Sequence, residues 1–343
     1  MIKNKLNAID LFSGCGGLSE GLKQAGFRTI AACEIDPVAV VTYKLNHPDV
    51  VVFENDIKLV DTSEVKKLLG GKPLHLLAGC PPCQGFSSLR RLNKKKSVRD
   101  GRNSLVDEYY RFINELKPLT IMMENVPGLQ NYFKFQDMLR KLKRLGYLLD
   151  TAVVNVADYG VPQRRKRLIL VGSLLNEIKI APGINVKKTV AMCIGSIESI
   201  RKTKDPLHKI VAKHTDKIME MIRLVPRDGG SRTDLPEKYI LECHKRKNVG
   251  FNDIYGRLKW DDYSSTITGG CLNPSKGRFL HPSKHRNITA REAALLQTFP
   301  IDYEFSVNAT KTEIAMMIGN ALPPEFCRLQ SKNIFNHLVA NYG

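Results

Sequence analysis

Short apolar runs alternate with amphipathic stretches through the first half of the chain. Ala8 to Phe12, Thr29 to Cys33, Val50 to Phe53, Leu74 to Leu77, Thr120 to Met123 and Leu168 to Val171 read as strands. Leu18 to Ala25, Pro37 to Leu45, Leu105 to Leu116 and Phe135 to Leu145 read as helices between them. This alternation predicts strand-helix units that build a mostly parallel sheet covered on both faces, an α/β doubly wound fold. Beyond Ser173 the rhythm breaks into short pieces rich in Lys, Arg, Gly, Pro, Asp and Ser, which marks a second, smaller and irregular domain. Periodicity returns at Thr289 to Leu296, where Thr289 is placed to cap a helix and Glu292 to complete a capping box. Pro323-Pro324 opens a closing helix through Phe326, Leu329, Ile334 and Leu338.

Composition adds a partner. The 343 residues carry Lys+Arg 53 against Asp+Glu 34, a net charge of +19, which suits a polyanion and points first to nucleic acid. A membrane is disfavoured, since a spanning segment needs about 20 consecutive apolar residues and none occurs. The N-terminus has Asp10 where a signal peptide would place its apolar core, and the eight cysteines are unclustered. Reduced thiols and a cytoplasmic location are therefore expected.

The densest chemistry lies in Ala78 to Ser87, where an apolar run ends in a prolyl turn that presents the Cys83 thiol as a candidate nucleophile. Cys80 and Cys83 form a C-x-x-C pair, yet the following Gln-Gly-Phe-Ser and lysine run make a poor helix start for a redox motif. A zinc site would need a second pair, and the remaining cysteines are single, so no metal is expected. After the first strand, Asp10 to Gly17 supplies a glycine-rich turn before a helix, in a Phe-x-Gly-x-Gly-Gly pattern that is neither a dinucleotide fingerprint nor a phosphate loop. Glu34 ends the second strand, where an acidic side chain binds ribose hydroxyls in such folds. Asp56 and Ile57 follow the third strand, placed for an adenine amino group and ring face.

Gly79 to Ser87 resembles the Gly-x-Pro-Pro-Cys-Gln-x-Phe-Ser segment of the DNA (cytosine-5) methyltransferases, with Cys83 at the nucleophile position. Further motifs follow in that family's order: Glu124-Asn125-Val126, Gln163 to Arg167, Arg286 to Pro300 and Ile318 to Pro324. The resemblance implies a Rossmann-like S-adenosylmethionine-dependent methyltransferase domain and a target-recognition domain. It implies Phe12, Gly14, Gly17, Glu34, Ile35, Asp56, Ile57, Pro82, Leu105, Asn320 and Ala321 as cofactor contacts, and Cys83, Glu124, Arg165 and Arg167 as catalytic residues. The domains implied are 1–185, completed by 310–343, for catalysis and cofactor, 186–285 for target recognition, and 286–309 as a buttress.

The chemistry agrees with that assignment. Cytosine C5 is a weak nucleophile until a thiolate adds at C6, and charge developing at N3 and O2 needs an acid and guanidinium groups nearby. A base inside a duplex must also be flipped out, and the basic stretch Arg90 to Arg102 reads as a loop that folds onto phosphates. The expected substrate is double-stranded DNA. The expected setting is a monomeric, stand-alone bacterial modification enzyme, with a paired restriction endonuclease as a functional partner. A tRNA cytosine-5 methyltransferase and a catalytically inactive DNA-binding module are the alternatives; the Cys-Phe-Thr signature of the first is absent, and the second would have lost Cys83, Glu124 or Arg165. The Pro-Pro-aromatic motif of amino-group methyltransferases is absent too.

Overall fold

The computed structural model describes residues 6–82, 105–240 and 253–342. They fold as two compact units, the first drawn from 1–159, 166–184 and 322–343, the second from 160–165 and 185–321.

A seven-stranded sheet in the order β3-β2-β1-β4-β5-β7-β6 forms the centre of the first unit. Its strands are β1 Asn7–Leu11, β2 Arg28–Cys33, β3 Val51–Phe53, β4 Leu76–Gly79, β5 Thr120–Asn125, β6 Leu148–Asn155 and β7 Lys166–Ser173. The strands β1 and β4 are buried along their whole length, as strands covered on both faces are; in β1 this burial includes Asn7 and Asp10. The pairs from β3 across to β5 are parallel, and β7 runs antiparallel to both of its neighbours. Chain direction across the sheet reverses between β1 and β4, the switch point outside which α/β folds bind their ligands.

The helices are α1 Gly17–Ala25, α2 Pro37–Asn46, α3 Thr62–Leu69, α4 Leu105–Leu116 and α5 Phe133–Arg144, with a long C-terminal helix, Pro324–Tyr342, packed on α1. That packing needs Gly21, because a Cβ there would stand 2.4 Å from the Cys327 Cβ. The Asp36 carboxylate caps α2 by accepting from the Val38 and Ala39 amides, with Pro37 in the first turn.

Three elements of the first unit depart from the sequence reading, and helix α3 has no counterpart there. The edge strand β6 has none either, and β5 runs on to Asn125, so Glu124 and Asn125 end the strand instead of following it.

The second unit is irregular, as expected. It holds α6 Val190–Ile194, α7 Pro206–Lys209, α8 Asp216–Leu224, α9 Ala290–Leu296 and α10 Lys311–Asn320, joined by turns and isolated bridges; the C-terminal helix of the first unit is α11. Met221, Ile222, Val225, Leu235, Tyr255 and Leu280 pack together in one of its cores. Arg257 is fully buried there and donates to the carbonyls of Ile222, Val225, His281 and Lys284, satisfying the end of α8 with a cation. Capping boxes start α9 at Thr289/Glu292 and α10 at Thr310/Glu313. The second unit runs through 185–321, and the first resumes at Leu322. The cause is visible at Gly319, whose backbone lies so close to Thr268 and Gly269 that an added Cβ would meet Thr268 C at 2.0 Å.

Candidate active site

The turn from β1 into α1 is bent by residues of positive φ: Phe12 at 61°, Gly14 at 55° and Gly16 at 95°. Phe12, included in the first strand from sequence, is the first residue of this turn. Glu34 fastens the turn to the end of β2. Its Oε2 accepts from the Gly14 amide at 2.7 Å, and its Oε1 accepts from the Ile35 and Asp36 amides at 2.9 and 2.8 Å. Three backbone donors orient the carboxylate and leave it lone pairs for further hydroxyl donors. Among the described residues nothing lies within 4 Å of a Cβ built on Gly14, and Ile35 is 64% exposed. These features fit the adenosine part of S-adenosylmethionine. Asp56 is half-buried and caps the next turn through the Lys58 amide, while Ile57 is buried in the core. Gly17 opens α1, and Pro82 and Leu105 are half-buried. Asn320 and Ala321 end α10 in the second unit.

Beneath the turn, the Ser19 hydroxyl donates to Asp10 Oδ2 at 2.7 Å and lies 2.7 Å from the Tyr43 hydroxyl. Burial pushes the Asp10 carboxyl up to about 8; the Ser19 hydrogen bond opposes this and the Glu34 charge adds to it. Cys15 and Cys33 are pushed by burial to about 12, which keeps both as thiols.

Cys83 and the basic stretch 90–102 lie outside the described residues. What leads into Cys83 is well defined. The Asn125 side chain donates from Nδ2 to the Pro81 carbonyl at 2.8 Å, while its Oδ1 accepts from the Val126 amide at 2.8 Å. Asn125 therefore ties the end of β5 to the prolyl turn after β4. Its neighbour Glu124 is nearly buried and pairs with Arg167 Nε at 2.5 Å. Cys80, the other cysteine of the pair, is held far above the ordinary thiol range by burial and by the Glu124 charge. Cys80 is thus an inert thiol beside a carboxylate.

Arg165 is set in the second unit, 5% exposed, and its Nη1 donates to the carbonyls of Ile267 and Gly319 at 2.9 Å each. Between these two arginines in sequence, Lys166 is exposed; just before them, Arg164 pairs with Asp262 over the Tyr263 ring. The arginine pair of the motif is thus split: the structure joins Arg167 to Glu124 and joins Arg165 to the carbonyls of 267 and 319. Asn125 has no place in the sequence reading as a functional residue; its only signal was its position inside Glu-Asn-Val. Among the described residues, no group of three or more His, Cys, Asp or Glu side chains is placed to hold a metal ion, and no helix is long and apolar enough to cross a membrane.

The family model for C-5 cytosine-specific DNA methylases matches residues 6–336. The chain belongs to that family. It is 36% identical over 340 residues to the Type II methylase M.HgiDII of Herpetosiphon aurantiacus, covering 95% of this chain and 94% of that one. The Type II methyltransferase M1.HphI of Haemophilus parahaemolyticus is 31% identical over 328 residues, covering 93% and 84%. Among solved structures, that of a prophage-encoded DNA modification methyltransferase from E. coli superposes with a TM-score of 0.71 at 28% identity, covering 98% and 100%. Spodoptera frugiperda DNMT2 shares the fold at 18% identity, with a TM-score of 0.63 over 96% and 99% of the two chains. Family membership makes the chain an S-adenosylmethionine-dependent DNA cytosine methyltransferase.

Proposed function

We propose that the protein methylates C5 of a flipped-out cytosine within one short sequence of double-stranded DNA and protects that sequence from a cognate restriction endonuclease. The Glu124–Arg167 pair at the end of β5, beside the Asn125-anchored turn that leads to Cys83, carries this reading. The Cys83 thiolate adds to C6, forming the S–C6 bond and pushing electron density to C5. Glu124, having taken up a proton from solvent, donates it in a hydrogen bond to N3, and Arg165 and Arg167 stabilise the charge that develops on the ring and its sugar-phosphate. S-adenosylmethionine, when bound, supplies an electrophilic methyl group. Glu34 and Asp56 hold the ribose and the adenine amino group, the Phe12 to Gly17 turn lets backbone approach the ligand, and Ile35, Ile57, Pro82, Leu105, Asn320 and Ala321 complete its contacts. Loss of the C5 proton to a base or water then expels the Cys83 thiolate and frees the methylated base. The second unit, with its irregular basic segments, reads the target, and its relatives' Type II names support a restriction-modification role.

The test is transfer of a labelled methyl group to unmethylated duplex DNA, with tRNA in parallel and 5-methylcytosine mapped at base resolution. Label at one short DNA motif, abolished in Cys83→Ser while DNA binding survives, supports the proposal. Label only in tRNA moves the substrate to RNA, and unchanged turnover in Cys83→Ser removes that thiol from the mechanism.

A further inference from the structure

Gln163 and Gln297 are both fully buried in the second unit, where an apolar pair would be the simpler filling. Instead they form a directed hydrogen-bonded chain. Gln163 Oε1 accepts from the Ile267 amide at 3.2 Å, which turns its Nε2 toward the Leu296 carbonyl at 3.1 Å and Gln297 Oε1 at 2.6 Å. With its oxygen engaged, Gln297 donates from Nε2 to the carbonyls of Ile318 and Ala321. Arg165 closes the circuit, since its Nη1 reaches the carbonyls of Ile267 and Gly319. Each amide can satisfy these partners in one orientation only, so the pair fixes the loop that carries Arg165 against the turn that carries Asn320 and Ala321. The missing Cβ at Gly319 lets the two backbones meet.

We infer that Gln297, acting through Gln163, is a positioning residue for methyl transfer that locks the Arg165 loop to the Asn320–Ala321 turn. This rests on the catalytic and cofactor roles proposed above. Both glutamines are fully buried, and the pair acts by setting where their neighbours stand. One buried network thereby serves both the residue proposed to meet the cytosine and those proposed to meet the cofactor.

The test uses the full-length protein and two near-isosteric variants. Gln297→Glu keeps an acceptor for Gln163 but turns an oxygen on the Ile318 and Ala321 carbonyls, whereas Gln297→Met fills the space without polar atoms. Thermal unfolding establishes that each is folded. Steady-state methylation gives kcat and both KM values, and calorimetry gives S-adenosylhomocysteine affinity. The expected result is a fall of about tenfold or more in kcat together with about a tenfold loss of S-adenosylhomocysteine affinity, the size that one unsatisfied buried amide partner implies. Affinity for the target duplex alone stays unchanged. A purely structural pair would lower the melting temperature and leave kcat and both KM values as they are; that result in either folded variant overturns the inference. Arg165→Ala and Asn320→Ala, measured alongside, report on the underlying reading. If they lower kcat and cofactor affinity respectively while the Gln297 variants change nothing, the inference alone fails. If they too change nothing, the roles proposed for the site fail with it.

Discussion

Asp10 has no exposed surface, and among the described residues its Oδ1 has no hydrogen-bond partner, so its carboxyl keeps a proton that an exposed aspartate would lose. Burial pushes it up to about 8, with the Ser19 hydrogen bond opposing the shift and the Glu34 charge reinforcing it. The folded chain therefore binds one more proton than the unfolded chain between the ordinary aspartate value and about 8. The stability this contributes is complete below the unfolded value and is lost as pH rises through about 8. Urea unfolding at pH 6 and pH 9 should show a loss on the order of 2 kcal/mol from this group, and Asp10→Asn should remove that part of the slope. Parallel slopes in the two proteins would show that Asp10 ionises normally. Nothing in the sequence announces this proton, because it follows from how completely α1 and the sheet enclose the end of β1. Glu34 is legible for the opposite reason: its distance from the glycine turn along the chain reflects one strand-helix-strand unit of standard size. Asn125 falls between the two. Its residue type was visible, but its work depends on β4 and β5 being neighbours, which brings the Pro81 carbonyl within reach.

At the scale of elements, strands that end at the switch point are readable because most of their residues are apolar. The edge strand β6 is not, since Leu148 and Val153 are exposed and its sequence lacks a buried run. Helix α10 is absent from the sequence reading, although Thr310 and Glu313 spell a capping box at its start. Helix crossings are the least visible of all, because no local pattern states how closely two helices approach. Gly21 on α1 makes one such crossing with α11: a Cβ there would lie 2.4 Å from the Cys327 Cβ and 2.7 Å from the Pro324 carbonyl oxygen. Gly21→Ala should cost about 1–3 kcal/mol, the usual range for overpacking, read as a lower melting temperature. Cys327→Ala added to it should not restore stability, because the clashing Cβ and carbonyl both remain. A Gly21→Ala protein as stable as the parent would mean that the two helices separate freely.

For the molecule as a whole, a net charge of +19 is large enough to govern encounter with DNA, yet charge of this kind carries no sequence information. Its contribution should appear in salt dependence and leave site choice unaffected. The run Lys94-Lys95-Lys96, which lies outside the described residues, provides the sharpest case. A phosphate neutralised by a lysine releases counterions and adds about −0.9 to the slope of log K against log salt. Replacing all three lysines with glutamine should therefore flatten the slope for duplex binding by about 2.7 if each meets a phosphate, and weaken binding most at low salt. The set of methylated sequences should stay the same, since a uniform loss of backbone contacts penalises all sites equally. Filter binding across a salt series, with methylation mapping on the same variant, separates the possibilities. An unchanged slope would make the lysines a solvated run with no phosphate partners, and a changed methylation site would mean that this segment reads bases.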